Sequence, residues 1–263
     1  MNAPYRVQAY NTARESENKM HDDTVARRFG FTGGLVPGVD VYAYMVHTPV
    51  ARWGHAWLEH GRAECRFLKP VYDGDEAIVD ATAEGDGLAL TVRSRDETCA
   101  TGSASLPSAV GSPPEFKAPP PSPTDRPPAD ERSLAIGTLL GMRPMVLTAE
   151  YAAQYLANVR ESDPVYAQEG IAHPGVLLRT CNWALTHNVV LGPWIHVGST
   201  VQNIVLARIG DELTVRARVS ANYERKGHRF VELDAVVLAS GRLVAHIAHV
   251  AIYRPREVVI SDQ

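Results

Sequence analysis

A short polar segment near the start of the chain holds side chains that can accept and donate protons. Glu15, Glu17 and His21 lie close together in the run Glu15-Ser-Glu-Asn-Lys-Met-His21. An imidazole with an ordinary pKa of about 6.5 exchanges protons at neutral pH. A carboxylate beside it can orient and polarise a water molecule between the two groups. The spacing therefore favours acid–base chemistry on water, with either glutamate as the partner of His21.

A glycine turn follows this segment and precedes an apolar run. Pro37 and Gly38 stand directly before Val-Asp-Val-Tyr-Ala-Tyr-Met-Val, which predicts a helix that begins near Gly38. The first N–H groups of a helix lack internal acceptors, and the helix dipole favours negative charge there. Glycine also lets a ligand approach the backbone. Gly38 is therefore a candidate donor to a developing oxyanion, although Pro-Gly is also a common way to start a helix.

The same polar segment has simpler interpretations. Asp22 and Asp23 follow His21, and aspartate often caps a helix N-terminus. A metal site needs further ligands, and the sequence offers no His-x-x-x-His or His-x-Glu partner, so no metal is predicted. His246 and His249 are three apart in a strand pattern, which places them on opposite faces of a sheet.

The periodicity of the chain predicts which elements position these groups. The segments after Pro37 and after Pro174 are apolar around most of their circumference, which is typical of a buried helix. Near the C-terminus, Val231, Leu233, Ala235 and Val237 alternate with polar residues, as in a strand with one wet face. Turn signals separate such runs at short intervals and favour antiparallel hairpins. Each half is thus predicted to wrap a curved antiparallel sheet around one helix.

A proline-rich segment divides the chain into two halves. Residues 107–128 contain nine of the 18 prolines, which excludes a helix or a sheet and predicts an extended linker. Residues 1–106 and 129–263 share the order of their parts, since each contains Arg-Glu-Ser followed by Pro-Gly-Val. This weak long-period repeat indicates a duplicated domain.

Composition narrows the classes of function. Charged residues make up 21% and hydrophobic residues 45% of the 263 residues, which is typical of a soluble globular protein. The 30 acidic residues outnumber the 26 Lys and Arg, which argues against a nucleic-acid partner. The sequence contains neither an apolar run long enough to cross a membrane nor a signal peptide, so a cytoplasmic location is expected. The three cysteines form no C-x-x-C pair and are predicted to be free thiols.

The polar segment and the glycine turn together resemble the active-site region of the MaoC-like (R)-specific enoyl-CoA hydratases. That family has the hotdog fold, and its motif runs D-x-N-P-x-H-x-D, then A-x-x-x-G-F, then a His-Gly pair at the start of the central helix. The resemblance implies that Asn18, His21 and Asp23 match the motif's Asn, catalytic His and Asp. It also implies that the N–H of Gly38 holds the thioester carbonyl.

Three positions depart from the family pattern. Ser16 stands where the family has its catalytic Asp, Lys19 replaces the motif's Pro, and Pro37 replaces the His of the His-Gly pair. In the second half, Tyr166 stands at the position of the catalytic His and Glu161 lies five residues before it. That second copy is therefore predicted to be degenerate and inactive.

We therefore expect an α+β double hotdog, with two antiparallel sheets that each wrap a long helix. The resemblance implies a hydratase or dehydratase acting on an enoyl or 3-hydroxyacyl thioester of coenzyme A or an acyl carrier protein, with no other cofactor. His21 and Glu17 are the predicted acid and base, Gly38 the oxyanion donor, and Asn18 a substrate-binding residue. The alternatives are a hotdog acyl-CoA thioesterase and a non-catalytic acyl-thioester binding protein. Pairing of two such chains in a homodimer is a further expectation.

Overall fold

The computed structural model describes residues 3–111, 113 and 115–256. Its strands are β1 (Tyr5–Gln8), β2 (Arg62–Phe67), β3 (Glu76–Glu84), β4 (Gly87–Ser94), β5 (Glu97–Ser105), β6 (Leu139–Gly141), β7 (Met145–Val146), β8 (Ile195–Asn203), β9 (Glu212–Arg225), β10 (His228–Ala239) and β11 (Arg242–Arg254). Its helices are α1 (Asp23–Arg28), α2 (Gly38–Trp53), α3 (His55–His60), α4 (Ala149–Asn158), α5 (Pro164–Glu169) and α6 (Pro174–Thr186), with a 3₁₀ helix at Lys19–His21.

The strands form one continuous antiparallel sheet. Its order is β1-β3-β4-β5-β2-β8-β11-β10-β9-β6, and β7 also pairs with β9. The first five strands in this order come from the first half of the chain and the rest from the second half. The two predicted sheets are thus joined edge to edge, because β2 pairs with β8 from Arg62↔Gln202 to Arg66↔Gly198. Two strands that would otherwise be exposed edges satisfy each other's backbone groups in this way.

One long helix from each half fills the curve of this sheet. Helices α2 and α6 pack against each other, and most of their residues are buried. The hairpins match the predicted turns: Ser240 and Gly241 join β10 to β11 with φ angles of 49° and 80°, the left-handed pair that a two-residue hairpin requires. Alternation along β10 buries Val231, Leu233 and Ala235 in the core.

The proline-rich linker contains no helix or strand in its described residues. It does, however, contact the second half. Phe116 is buried, and its carbonyl accepts a hydrogen bond from Arg216 at 3.1 Å. Further along, Arg126 donates to the carbonyl of Thr186, and a parallel bridge joins Pro128 to Val190. The linker therefore lies along the second half rather than extending into solvent.

We expect limited trypsin digestion to cut first after Lys117, which is exposed and lies outside any helix or strand. Arg126, the other basic side chain of the central linker, is ion-paired and precedes Pro127, which disfavours cleavage. The fragments should elute together on a native sizing column, because the β2–β8 ladder and the α2–α6 contact survive the cut. A Lys117→Gln variant provides the control for the site of cleavage. Fragments that separate would contradict the joined sheet.

Candidate active site

Two aspartate side chains fix the backbone that follows His21. Asp22 caps α1, since its carboxylate accepts from the N–H groups of Thr24 at 2.9 Å and Val25 at 3.0 Å. Asp23 accepts from the N–H of Gly34 at 2.7 Å and so ties α1 to the loop that leads into α2. Both aspartates therefore have structural partners, in line with the capping interpretation of this segment.

His21 is held in one neutral form. Its Nδ1 lies 2.6 Å from the carbonyl oxygen of Leu35, and its Nε2 lies 3.2 Å from the amide nitrogen of Asn18. A carbonyl only accepts, so Nδ1 carries the hydrogen and Nε2 carries the lone pair. Burial lowers the pKa of His21, and the opposite charges of Asp40 and Arg179 act on it in opposing directions. The imidazole is thus in its basic form at neutral pH.

Asn18 connects His21 to the second half of the chain. Its amide nitrogen donates to His21 and, at 3.0 Å, to the carbonyl of Trp194. Its Oδ1 accepts from the N–H groups of Trp194 at 3.1 Å and Met20 at 3.2 Å. These four bonds use the full hydrogen-bonding capacity of the amide. Protein partners thus engage all the polar groups of Asn18 and tie it to His21, while its predicted contact with substrate stays a prediction.

The N-terminus of α2 is free of a side-chain cap. The N–H groups of Asp40 and Val41 both donate to the carbonyl of Pro37, at 2.9 and 3.1 Å. The N–H groups of Gly38 and Val39 form no hydrogen bond with any residue that the structure describes. Two donors and the positive end of the helix dipole are therefore available at this point.

His21 and Gly38 line the same cavity of about 230 Å³, which we call the apolar cavity. Its other walls are mainly hydrophobic and come from both halves of the chain, including Phe31, Phe67, Leu68, Trp194, Ile195 and Ile252. A site with apolar walls and a few convergent polar groups is typical of small-molecule binding.

A second cavity of about 340 Å³ lies on the other side of His21, and we call it the polar cavity. Asn18, His21, Pro37, Asn182 and Trp194 line both cavities. The remaining walls of the polar cavity include the charged or titratable side chains of Glu17, Arg126, Arg179 and His187. His21 therefore lies at the boundary between an apolar and a charged compartment.

Glu17 lines the polar cavity in an ion pair. Both of its carboxylate oxygens accept from Arg126 of the linker, at 2.9 and 3.1 Å, and its side chain is 70% exposed. The hydrogen bond from Arg126 lowers the pKa of Glu17. Glu15 is exposed and lines neither cavity, while the hydroxyl of Ser16 lies 3.3 Å from the carbonyl of Asn18. Of the two candidate carboxylates, only Glu17 shares a cavity with His21.

A buried ion pair that the sequence did not suggest lies behind His21. Asp40, in the first turn of α2, is fully buried and accepts from Arg179 of α6 and, at 2.6 Å, from the hydroxyl of Thr12. A buried charge of this kind is stable only when it is paired and hydrogen-bonded. The pair joins the two central helices beside the site.

The corresponding position in the second half is filled. The N–H of Gly175 donates to Nδ1 of its own capping residue, His173, at 3.0 Å. A Cβ on Gly175 would collide with the hydroxyl of Tyr155. Tyr166, at the position of the motif's His, is fully buried. The first half has the apolar cavity at the N-terminus of its central helix. At the same place in the second half lie the side chains of His173 and Tyr155.

Glu161, the other motif position of the second half, also belongs to a closed cluster. Its carboxylate accepts from the backbone N–H groups of Ser162 and Asp163, both at 2.7 Å, and lies 2.9 Å from Nδ1 of His47. Burial alone would raise the pKa of Glu161, but the imidazoles of His173 and His47 outweigh it and the pKa is lowered. The carboxylate is a buried anion held by its neighbours.

Other predicted features can be placed briefly. His246 lies beside Asp234 at 2.7 Å on the outer face, and His249 is fully buried, as their spacing predicts. The three cysteines are free and buried. Among the described residues, no three His, Cys, Asp or Glu side chains are arranged to hold a metal ion. No helix in the described part of the chain is long and apolar enough to span a bilayer.

Comparisons with known proteins define the fold. No protein-family model and no curated protein sequence matches the chain. A conserved protein of Mycobacterium tuberculosis, described as having a double hotdog fold, superimposes with a TM-score of 0.61 at 13% identity over 96% of each chain. A protein of Chloroflexus aurantiacus assigned as a MaoC domain dehydratase gives 0.59 at 11% identity, covering 97% of this chain and 96% of that one.

A protein of Thermobifida fusca assigned as a thioesterase II gives a TM-score of 0.53 at 15% identity, covering 97% of this chain and 94% of that one. The chain therefore has the double hotdog fold, and that prediction is confirmed. The resemblance to MaoC-like proteins seen in the sequence extends to the fold of the Chloroflexus aurantiacus protein. Since dehydratases and thioesterases both occur among these neighbours, the fold alone does not select the reaction.

Buried neutral histidines predict acid sensitivity. Burial and the neighbouring His249 lower the pKa of His196, and burial lowers the pKa of His249 to about 3. The unfolded chain, with histidine pKa values of about 6.5, then binds more protons than the folded chain below that pH. These histidines should leave the free energy of unfolding independent of pH between about pH 7 and pH 8. It should fall below about pH 6.5, by up to about 1.4 kcal/mol per pH unit for each buried histidine.

Chemical denaturation at a series of pH values checks this expectation. A His249→Asn variant should show a shallower slope between about pH 6.5 and 5, because it removes one of the buried imidazoles. If the wild-type protein had the same free energy of unfolding at about pH 6.5 and pH 5, His196 and His249 could not be buried in their neutral form.

Proposed function

We propose that the chain is a hydratase or dehydratase that acts on an enoyl or 3-hydroxyacyl thioester of coenzyme A or an acyl carrier protein. One observation carries the proposal: His21, whose Nε2 is the unprotonated nitrogen, and Gly38, whose N–H has no hydrogen bond among the described residues, line the same cavity. A proton-transfer group and an anion-stabilising group are the two elements that this reaction requires at a single place.

The proposed reaction assigns each group a step. In hydration, Nε2 of His21 exchanges its hydrogen bond from Asn18 for one from water. It then takes a proton from that water as the water oxygen bonds to the β-carbon of the enoyl thioester. Electrons move from the double bond toward the carbonyl, and the N–H groups at the start of α2 stabilise the charge on its oxygen. The proton that Nε2 took from water then passes, directly or through Glu17, to the α-carbon, which restores neutral His21 and completes the addition of one water. The apolar cavity holds the acyl chain, and dehydration is the reverse sequence.

Glu17 is proposed as the second proton-transfer group. It shares the polar cavity with His21, and because Arg126 binds its carboxylate, Glu17 must leave this ion pair to reach a substrate. A thioesterase would use the same cavity differently, with water attacking the carbonyl carbon and free thiol as a product. A binding protein would bind the acyl thioester and release neither product. Measuring hydrated product and free thiol separately distinguishes the three functions.

Replacing His21 with Asn tests the proton-transfer role. The Asn side chain can still donate to the Leu35 carbonyl, but it lacks the basic Nε2. We expect the rate of crotonyl-CoA or decenoyl-CoA hydration to fall by about 10²–10⁴-fold. The melting temperature should fall as well, because Asn18 loses its hydrogen bond to Nε2 of His21. A variant that retains wild-type turnover would exclude His21 from the reaction. Free thiol in place of hydrated product would favour the thioesterase.

A matched pair of glutamate variants tests the carboxylate. Glu17→Gln should lower kcat at least tenfold, whereas Glu15→Gln should change it less than about twofold, because only Glu17 shares a cavity with His21. Steady-state kinetics on the same enoyl thioester measure both effects. Arg126→Gln, which frees Glu17, provides a further control and should not abolish turnover. Equal and small effects of the two glutamate variants would remove Glu17 from the mechanism.

A further inference from the structure

A buried histidine of the second half, His196, lies against the N-terminus of α2. The Nδ1 of His196, on β8, is 2.8 Å from the position that a Cβ would take on Gly38, and its ring lines the apolar cavity. The edge of Phe67 packs on the same imidazole, with ring centroids 4.8 Å apart. This Nδ1 forms no hydrogen bond with any part of the chain that the structure describes. A buried polar atom without a partner has a desolvation cost and calls for an explanation.

The opposite nitrogen of the ring belongs to a buried chain of hydrogen bonds. Nε2 of His196 lies 2.8 Å from the hydroxyl of Ser199, which in turn lies 3.0 Å from Nδ1 of His249. The two imidazoles stack at 4.3 Å. His249 is fully buried and His196 is buried. Each has one nitrogen without a hydrogen-bond partner among the described residues: Nδ1 of His196 and Nε2 of His249.

The hydrogens that link His196, Ser199 and His249 can be arranged in two ways, because each neutral imidazole carries only one N–H. In the first, His196 donates to Ser199 and the serine donates to His249, which leaves an N–H on Nε2 of His249 without an acceptor. In the second, His249 donates to Ser199 and the serine donates to Nε2 of His196. In the free protein the second arrangement leaves the N–H on Nδ1 of His196 without an acceptor, so each arrangement contains one unpaired N–H. In the second, however, this N–H belongs to a residue that lines the apolar cavity, where a bound ligand can accept its hydrogen, whereas His249 lines neither cavity. We therefore place the hydrogen of His196 on Nδ1, beside Gly38.

We propose that His196 is a second donor to the thioester carbonyl oxygen, acting through Nδ1–H alongside the N–H of Gly38. The proposal rests on the proposed function, since it assumes an acyl thioester in the apolar cavity. Ser199 and His249 are then positioning residues, because they act by fixing the tautomer of His196. It also follows that Gly38 must be glycine, since a Cβ there would take the place of this imidazole.

Nitrogen-15 NMR of the wild-type protein tests the tautomer without any substrate. We expect the signals of His196 to show a protonated Nδ1 and an unprotonated Nε2. In Ser199→Ala, which removes the link to His249, this preference should be lost or weakened. A wild-type protein with its hydrogen on Nε2 would overturn the proposal and leave the role of His21 untouched.

Infrared spectroscopy of bound butyryl-CoA labelled at the carbonyl carbon tests the donor itself. This saturated thioester has no double bond to hydrate. We expect a shift of the carbonyl band to lower frequency in the wild-type protein and a smaller shift in His196→Leu. With crotonyl-CoA, kcat of His196→Leu should fall by about 10²–10³-fold, and His196→Asn should recover at least tenfold of that loss. His246→Gln, on the outer face of the adjacent strand, is the matched control.

The outcomes separate the two proposals. An unchanged carbonyl band in His196→Leu, with the thioester still bound, would overturn the role of His196 alone. If the wild-type protein neither binds butyryl-CoA nor converts crotonyl-CoA or decenoyl-CoA, both proposals fail. If His196→Leu does not fold, Ser199→Ala gives the deciding result, since loss of the tautomer preference should be accompanied by a reduced carbonyl shift.

Discussion

The pairing of β2 with β8 is the contact on which the rest of the molecule depends. Five consecutive residue pairs from Arg62↔Gln202 to Arg66↔Gly198 join the sheets of the two halves. The register decides which residues of the second half face the first. It brings the start of β8, with His196, next to the end of β2, with Phe67, at the point where α2 begins. A shift of one residue would turn every side chain to the opposite face of the sheet.

Because of this register, the site of the first half is built by both halves. Trp194 binds Asn18, which binds His21, while Arg179 pairs with Asp40 next to the same imidazole. The burial that results keeps His21 neutral, with the lone pair of its Nε2 accepting a hydrogen bond from Asn18. In the second half, by contrast, His173 caps the helix and Tyr155 occupies the space beside Gly175. The two halves thus differ in a few side chains at the start of their central helices, and the apolar cavity lies at the start of α2.

Much of the fold was predictable because it depends on local patterns. Period-two alternation and turn residues predicted the hairpins of β9 to β11, and the apolar segment after Gly38 predicted α2. The motif around His21 could be placed on a short polar turn before this helix. The resemblance to the MaoC-like motif, and not a local pattern, is the basis for the prediction that Tyr166 belongs to a degenerate copy. The proline content of residues 107–128 predicted a linker without regular structure.

Contacts that join distant parts of the chain were not predictable in this way. The pairing of Glu17 with Arg126 connects residues 109 positions apart, and nothing near either residue indicates it. His196 lies in an ordinary strand pattern. The sequence indicates a buried polar group there only by placing a histidine at an inward-facing position. Its place beside Gly38 depends on the β2–β8 register, which the sequence of neither strand specifies. The joining of two sheets into one has the same origin.

The central claim is that the start of α2 and residue 21 act on one acyl thioester. A crystal structure of the His21→Asn variant with crotonyl-CoA bound tests this claim most directly. The account predicts that the carbonyl oxygen lies about 2.7–3.1 Å from the nitrogen of Gly38, with the β-carbon of the acyl group facing residue 21. An acyl group bound in the polar cavity, or one whose carbonyl points away from α2, would contradict it.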